Sequence, residues 1–148
     1  MIKIAAFLIF YFIFLICDLR SKSFNKYLLL AYFLVGVIIN IIEFKTHTPD
    51  YFISMAYSIA FGIGLMIISE LTNEMIGLGD AIYFLINSFY ISFIDNVLLF
   101  VIGFVIALVT GFVMYQFIKP ASKIGRLPFL LFLAAPIIVK IIMLLVEI

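Results

Sequence analysis

The sequence predicts an all-α, polytopic membrane protein of six transmembrane helices, and three observations carry that expectation. Of its 148 residues, 68% are hydrophobic, and only nine Lys/Arg and eight Asp/Glu are charged. A soluble domain is roughly 45–50% apolar and about 25% charged, so this chain cannot cover a water-facing surface. The apolar residues also form continuous runs rather than the alternation that a β-barrel needs. Finally, those runs are separated by short polar clusters, at intervals close to the ~20 residues that cross a bilayer core.

The elements follow from those clusters. Span one covers about Ile4–Cys17 and stops at Asp18-Leu19-Arg20-Ser21-Lys22. Span two, about Tyr27–Ile42, ends in the polar stretch Glu43–Asp50, where Pro49 marks a loop. Span three, about Phe52–Ser69, is followed by Glu70–Glu74. Gly77-Leu78-Gly79-Asp80 leads into span four, about Ala81–Ile94, and Asp95-Asn96 reads as a tight turn. Span five runs over about Val97–Ile118 to Lys119-Pro120, and span six over about Leu127–Val146. Span four is short enough that a five-span arrangement with a re-entrant fourth segment is the alternative. In span five, Gly103, Ala107 and Gly111 form a small-residue stripe suited to close helix packing. No linker or low-complexity stretch divides the chain, so residues 1–148 read as one domain.

Lys and Arg in short loops set orientation. Arg20, Lys22 and Lys26 follow span one, and Lys119, Lys123 and Arg126 follow span five; the opposite side has Lys3 and Lys45. Both termini are therefore expected outside the cytoplasm. The N-terminal run lacks a small-x-small cleavage site and reads as a retained span. Net charge of +1 offers nothing to a nucleic acid. A single cysteine, Cys17, excludes an intramolecular disulfide, and neither it nor the lone His47 has partners for a metal site. No cofactor or metal is expected.

Ionisable groups at membrane depth are expensive and usually have a task. Asp18 directly follows one apolar run and Asp80 directly precedes another, so both are expected at one depth near the cytoplasmic interface. Two carboxylates brought together cannot both ionise easily; one keeps its proton and the other acts as a base. Such a pair can activate water against a peptide carbonyl and protonate the leaving amine. The bland alternative for Asp80 is a helix N-cap. Gly77 and Gly79 let the backbone turn sharply and approach an extended chain. Glu74 is either a third acidic member or a solvated loop residue, and Arg20 is a candidate partner for Asp18 or for a substrate carboxylate.

These residues resemble the membrane core of the type IV prepilin peptidases and the related preflagellin peptidases, six-span aspartyl proteases with a GxGD motif. The resemblance rests on Asp18-Leu19-Arg20, on Leu71-Thr72-Asn73-Glu74-Met75-Ile76-Gly77-Leu78-Gly79-Asp80, and on Arg126-Leu127-Pro128-Phe129 opening the last span. It implies Asp18 and Asp80 as the catalytic pair, with Gly77, Gly79 and Glu74 as supporting motif. It implies a membrane aspartyl endopeptidase of a prokaryotic inner membrane, cleaving the leader of a pilin-like precursor at the cytoplasmic face. The sequence departs from the family at Ser23-Phe24-Asn25-Lys26, where an Ile-Pro-Asn is common, and at Ile82, where Lys is common; Asn25 aligns only with a one-residue gap and is, with Arg20, a candidate substrate contact. No CxxC is present, so a methyltransferase-type N-terminal domain is not expected, as in the short peptidases of tight-adherence pilus systems. The competing class is a non-catalytic membrane component: a small transporter or channel subunit, or a degenerate peptidase acting as an assembly partner.

Overall fold

The computed structural model describes residues 2–21, 25–44, 48–73, 77–117 and 129–139. Among them every regular element is helical: α1 (Ile2–Ser21), α2 (Lys26–Ile42), α3 (Pro49–Leu71), α4 (Leu78–Asn87), α5 (Phe93–Phe117) and α6 (Phe129–Phe132). A turn at Leu133 interrupts α6, after which helix continues to Val139. All six expected helices are present. Three stretches, Ile2–Arg20, Pro49–Leu71 and Phe93–Val113, are long and apolar enough to cross a membrane.

Local chemistry sets the helix ends. Asn25 caps α2 by accepting the Tyr27 N–H at 2.9 Å. Pro49, which lacks an N–H, opens α3 after Thr48. Asn73 at φ 52° ends α3 in the left-handed conformation that asparagine tolerates. Asp95-Asn96, expected as a turn, instead lies in the first turn of α5. Ser92 Oγ accepts the Asp95 N–H at 3.2 Å and donates to its carboxylate at 2.9 Å, a reciprocal cap. The chain reverses earlier, where Tyr90 N–H donates to the Asn87 carbonyl at 2.9 Å. Apolar neighbours hid that reversal, and a helix-starting pair of polar residues imitated it.

The short α4 is the buried centre. Ala81, Phe84 and Asn87 are fully enclosed and Tyr83 nearly so. At ten residues it rises only ~15 Å, about half a bilayer core. Its neighbours α2, α3 and α5 wrap it. Phe14 of α1 meets the rings of Tyr32 (α2) and Tyr83 (α4) edge-on at 5.5 Å each, and Tyr32 stacks on Tyr90 at 4.4 Å. Polar groups turn inward: Tyr32 donates to Asn87 Oδ1 at 2.8 Å, and Asn96 Nδ2 donates to Ser58 Oγ at 2.7 Å and to the Phe84 carbonyl at 2.9 Å. Large apolar side chains turn outward, among them Phe12, Ile16, Leu98, Leu108 and Phe112. This is an inside-out pattern suited to lipid tails.

The far end of the bundle is tied by Lys3. Its ammonium donates to Asn40 Oδ1 and to the Tyr51 hydroxyl at 2.9 Å each and pairs with Glu43 at 3.4 Å, joining the start of α1 to the end of α2 and the start of α3. Asn40 Nδ2 reaches the Phe89 carbonyl at 2.8 Å. The opposite end therefore holds the end of α1 and the starts of α2 and α4.

Close approach of α3 and α4 depends on Gly62. A Cβ there would stand 2.5 Å from Leu85 Cα, whereas nothing lies within 4 Å of one at Gly64. Gly62→Ala is expected to destabilise the fold by about 1–3 kcal/mol, as overpacking does, and Gly64→Ala to be near neutral. Thermal unfolding in one detergent checks both; equal melting points would refute the contact. Of the small-residue stripe on α5, Gly103 abuts Leu133 of the last helical segment, and Gly111 faces open space.

Candidate active site

The site begins with the face of α1 formed by Phe7, Tyr11, Phe14 and Asp18, whose spacing of four, three and four residues lines up on one side of a helix. All four are buried, Asp18 to 8% exposure. The neighbouring Leu19 and Arg20 are exposed. Among the described residues Arg20 makes no ion pair with Asp18. Asp18 instead accepts the Leu130 N–H on Oδ2 at 3.3 Å. Leu130 belongs to α6, and among the described residues Asp18 is the acceptor of its N–H.

Asp80 enters from α4. The helix starts after Gly77, whose carbonyl accepts the Ala81 N–H at 3.1 Å. Asp80 is thus the third residue of the helix and not its cap, contrary to the capping alternative; no side chain caps this helix. Its carboxylate folds back over Gly77, with Oδ2 2.8 Å from where a Cβ would stand. Gly77 has φ −59° and ψ 135°, open to any residue, so space and not backbone conformation demands glycine here. Gly79 lies in the first turn beside it, half-buried.

The two aspartates share one end of the bundle. Asp80 lies in the first turn of α4, close enough to Asp18 for the two charges to act on each other. A half-buried acid beside a second carboxyl can exchange protons with a reacting group.

The other candidate residues are distributed as follows. Asn25 is exposed and its side chain serves the α2 cap. Ile82, at the position where the resembled family often has lysine, packs against the apolar core. Glu74, Ser23, Phe24 and Arg126-Leu127-Pro128 lie outside the described residues. No cluster of metal-ligating side chains occurs among the described residues. An apolar cavity of about 490 Å³, lined by Ile4, Phe7, Tyr90, Leu99 and Ile137 among others, lies toward the other end and is bordered by neither Asp18 nor Asp80.

Two tyrosines near the pair escaped sequence reasoning. Tyr11 lies two turns before Asp18 on the same face and donates to the Leu130 carbonyl at 3.1 Å. Tyr83 lies one turn after Asp80 and meets Phe14, on the Asp18 face of α1, edge-on at 5.5 Å. The signal was present as tyrosines at helical spacing from each aspartate, but it was indistinguishable from core filler among eight tyrosines and 18 phenylalanines.

Comparison with family models, with curated proteins and with solved structures returned no match in any of the three.

Proposed function

We propose that the chain is a membrane aspartyl endopeptidase in which Asp18 and Asp80 share the acid and base roles. The observation that carries this reading is that two carboxylates from different helices, 62 positions apart in sequence, lie close enough for their charges to act on each other. One carboxyl holds a proton while its neighbour is ionised. The ionised member takes a proton from water as that water attacks the peptide carbonyl, and the protonated member gives its proton to the leaving amine. Which aspartate starts protonated is a property of the pair.

The motif resemblance supplies the substrate class: a pilin-like precursor with a basic leader followed by an apolar helix. All six helices are membrane-embedded in this reading, with both termini outside and the aspartate end at the cytoplasmic face of a prokaryotic inner membrane. The leader stays in the cytoplasm, and the substrate helix lies in the bilayer beside the enzyme.

One observation favours the non-catalytic alternative. The Asp18 bond to Leu130 N–H is also what a purely structural cap of α6 supplies. The experiment is reconstitution of the full chain in liposomes with a synthetic precursor of this design, read by mass spectrometry. The proposal expects a leader fragment and an apolar-helix fragment, formed equally with and without a chelator or a thiol-blocking reagent. An intact precursor in every case moves the membrane-component reading to first place.

A further inference from the structure

Asp18 is held by the N–H of Leu130, a residue that is itself held through its carbonyl. The Leu130 carbonyl accepts two donors, the Leu133 N–H at 3.2 Å and the Tyr11 hydroxyl at 3.1 Å. The turn at Leu133 tightens the helix there to an i→i+3 bond, and the carbonyl's second lone pair goes to Tyr11. Tyr11 and Asp18 are seven residues apart on α1, about 10 Å along one face. The long tyrosine and the short aspartate therefore grip the two sides of one residue, Leu130, which is fully enclosed. Tyr11 is itself buried to 2% exposure, so water offers its hydroxyl little substitute.

We propose that Tyr11 is a positioning residue: by fixing the backbone of Leu130 from its carbonyl side, it holds the Leu130 N–H on the Asp18 carboxylate and so keeps that carboxylate in place near Asp80. Its catalytic consequence rests on the protease reading; its geometric consequence does not. Without the hydroxyl, Asp18 supplies the remaining hydrogen bond from α1 to Leu130 among the described residues. The donor that orients Asp18 is then free to drift, and misplacement of a reacting group by about 1 Å costs on the order of a hundredfold in rate.

The test uses the full chain in lipid nanodiscs with ¹³C-labelled aspartate carboxyls, read by infrared difference spectroscopy. Bands lost in Asp18→Asn and in Asp80→Asn identify the pair. Tyr11→Phe is expected to shift the Asp18 band. Tyr32→Phe loses a comparable buried hydroxyl bond, to Asn87 at 2.8 Å, and is expected to leave the Asp18 band in place. A role confined to packing moves neither band. With a precursor, Tyr11→Phe is expected to lower kcat by roughly tenfold to a hundredfold with KM within about twofold. An Asp18 band unmoved by Tyr11→Phe overturns the proposal, whatever cleavage does. A shifted band in a protein that cuts no precursor upholds the positioning role and removes the protease reading. A second measurement needs no variant. Among the described residues Asp18 is the acceptor of the Leu130 N–H, so amide exchange there reports that bond. Protection is expected in the wild type, and free exchange overturns the latch.

Discussion

Asp80→Asn is expected to fold like the wild type and to lose precursor cleavage by about 10²–10⁴-fold. Asparagine keeps the size of the aspartate side chain, so the space over Gly77 stays filled. It can neither take a proton from water nor give one to a leaving amine, so the acid–base exchange of the pair stops. Thermal unfolding of the variant beside wild type in one detergent checks the fold, and fragment yield from the precursor checks the chemistry. A variant that melts early yet cuts at the wild-type rate when folded would make Asp80 a structural residue and not a reacting one.

Gly77→Ala is expected to fold and to lose most of the proposed cleavage activity. The backbone at Gly77 suits alanine, so the fold tolerates the change. The added methyl arrives 2.8 Å from Asp80 Oδ2, inside any normal contact, and the short aspartate side chain must turn away. Displacement of the reacting carboxyl costs on the order of a hundredfold in kcat, while KM stays near wild type because the precursor's contacts elsewhere are untouched. Cleavage kinetics beside a melting curve separate the two effects. A fully active Gly77→Ala would falsify the placement of Asp80 over that glycine.

Much of this was legible in the sequence because its signals are local. Continuous apolar runs give helices, and polar clusters give their ends. Asp18 and Asp80 stood out because each adjoins an apolar run without being needed to end it. What the sequence concealed depends on contacts distant along the chain. Asn25 was considered for substrate contact, yet its side chain reaches only two residues forward to cap α2. Asp95-Asn96 read as a turn because polarity marks both turns and helix starts, and only the reciprocal bond to Ser92 separates the two. Tyr11 reaches Leu130, 119 positions away, and no local pattern announces such a bond. Gly77 was read as a flexible turn residue; the structure gives it a different task, making room for a carboxylate.

The central claim is that Asp18 and Asp80 act as one chemical unit on a peptide bond. The most direct measurement is cleavage of a co-expressed pilin-like precursor by wild type, Asp18→Asn and Asp80→Asn at equal membrane levels. The account predicts that wild type cuts and that each variant alone loses activity by about 10²–10⁴-fold. Cutting that survives either substitution contradicts it, and assigns that aspartate to holding helices together.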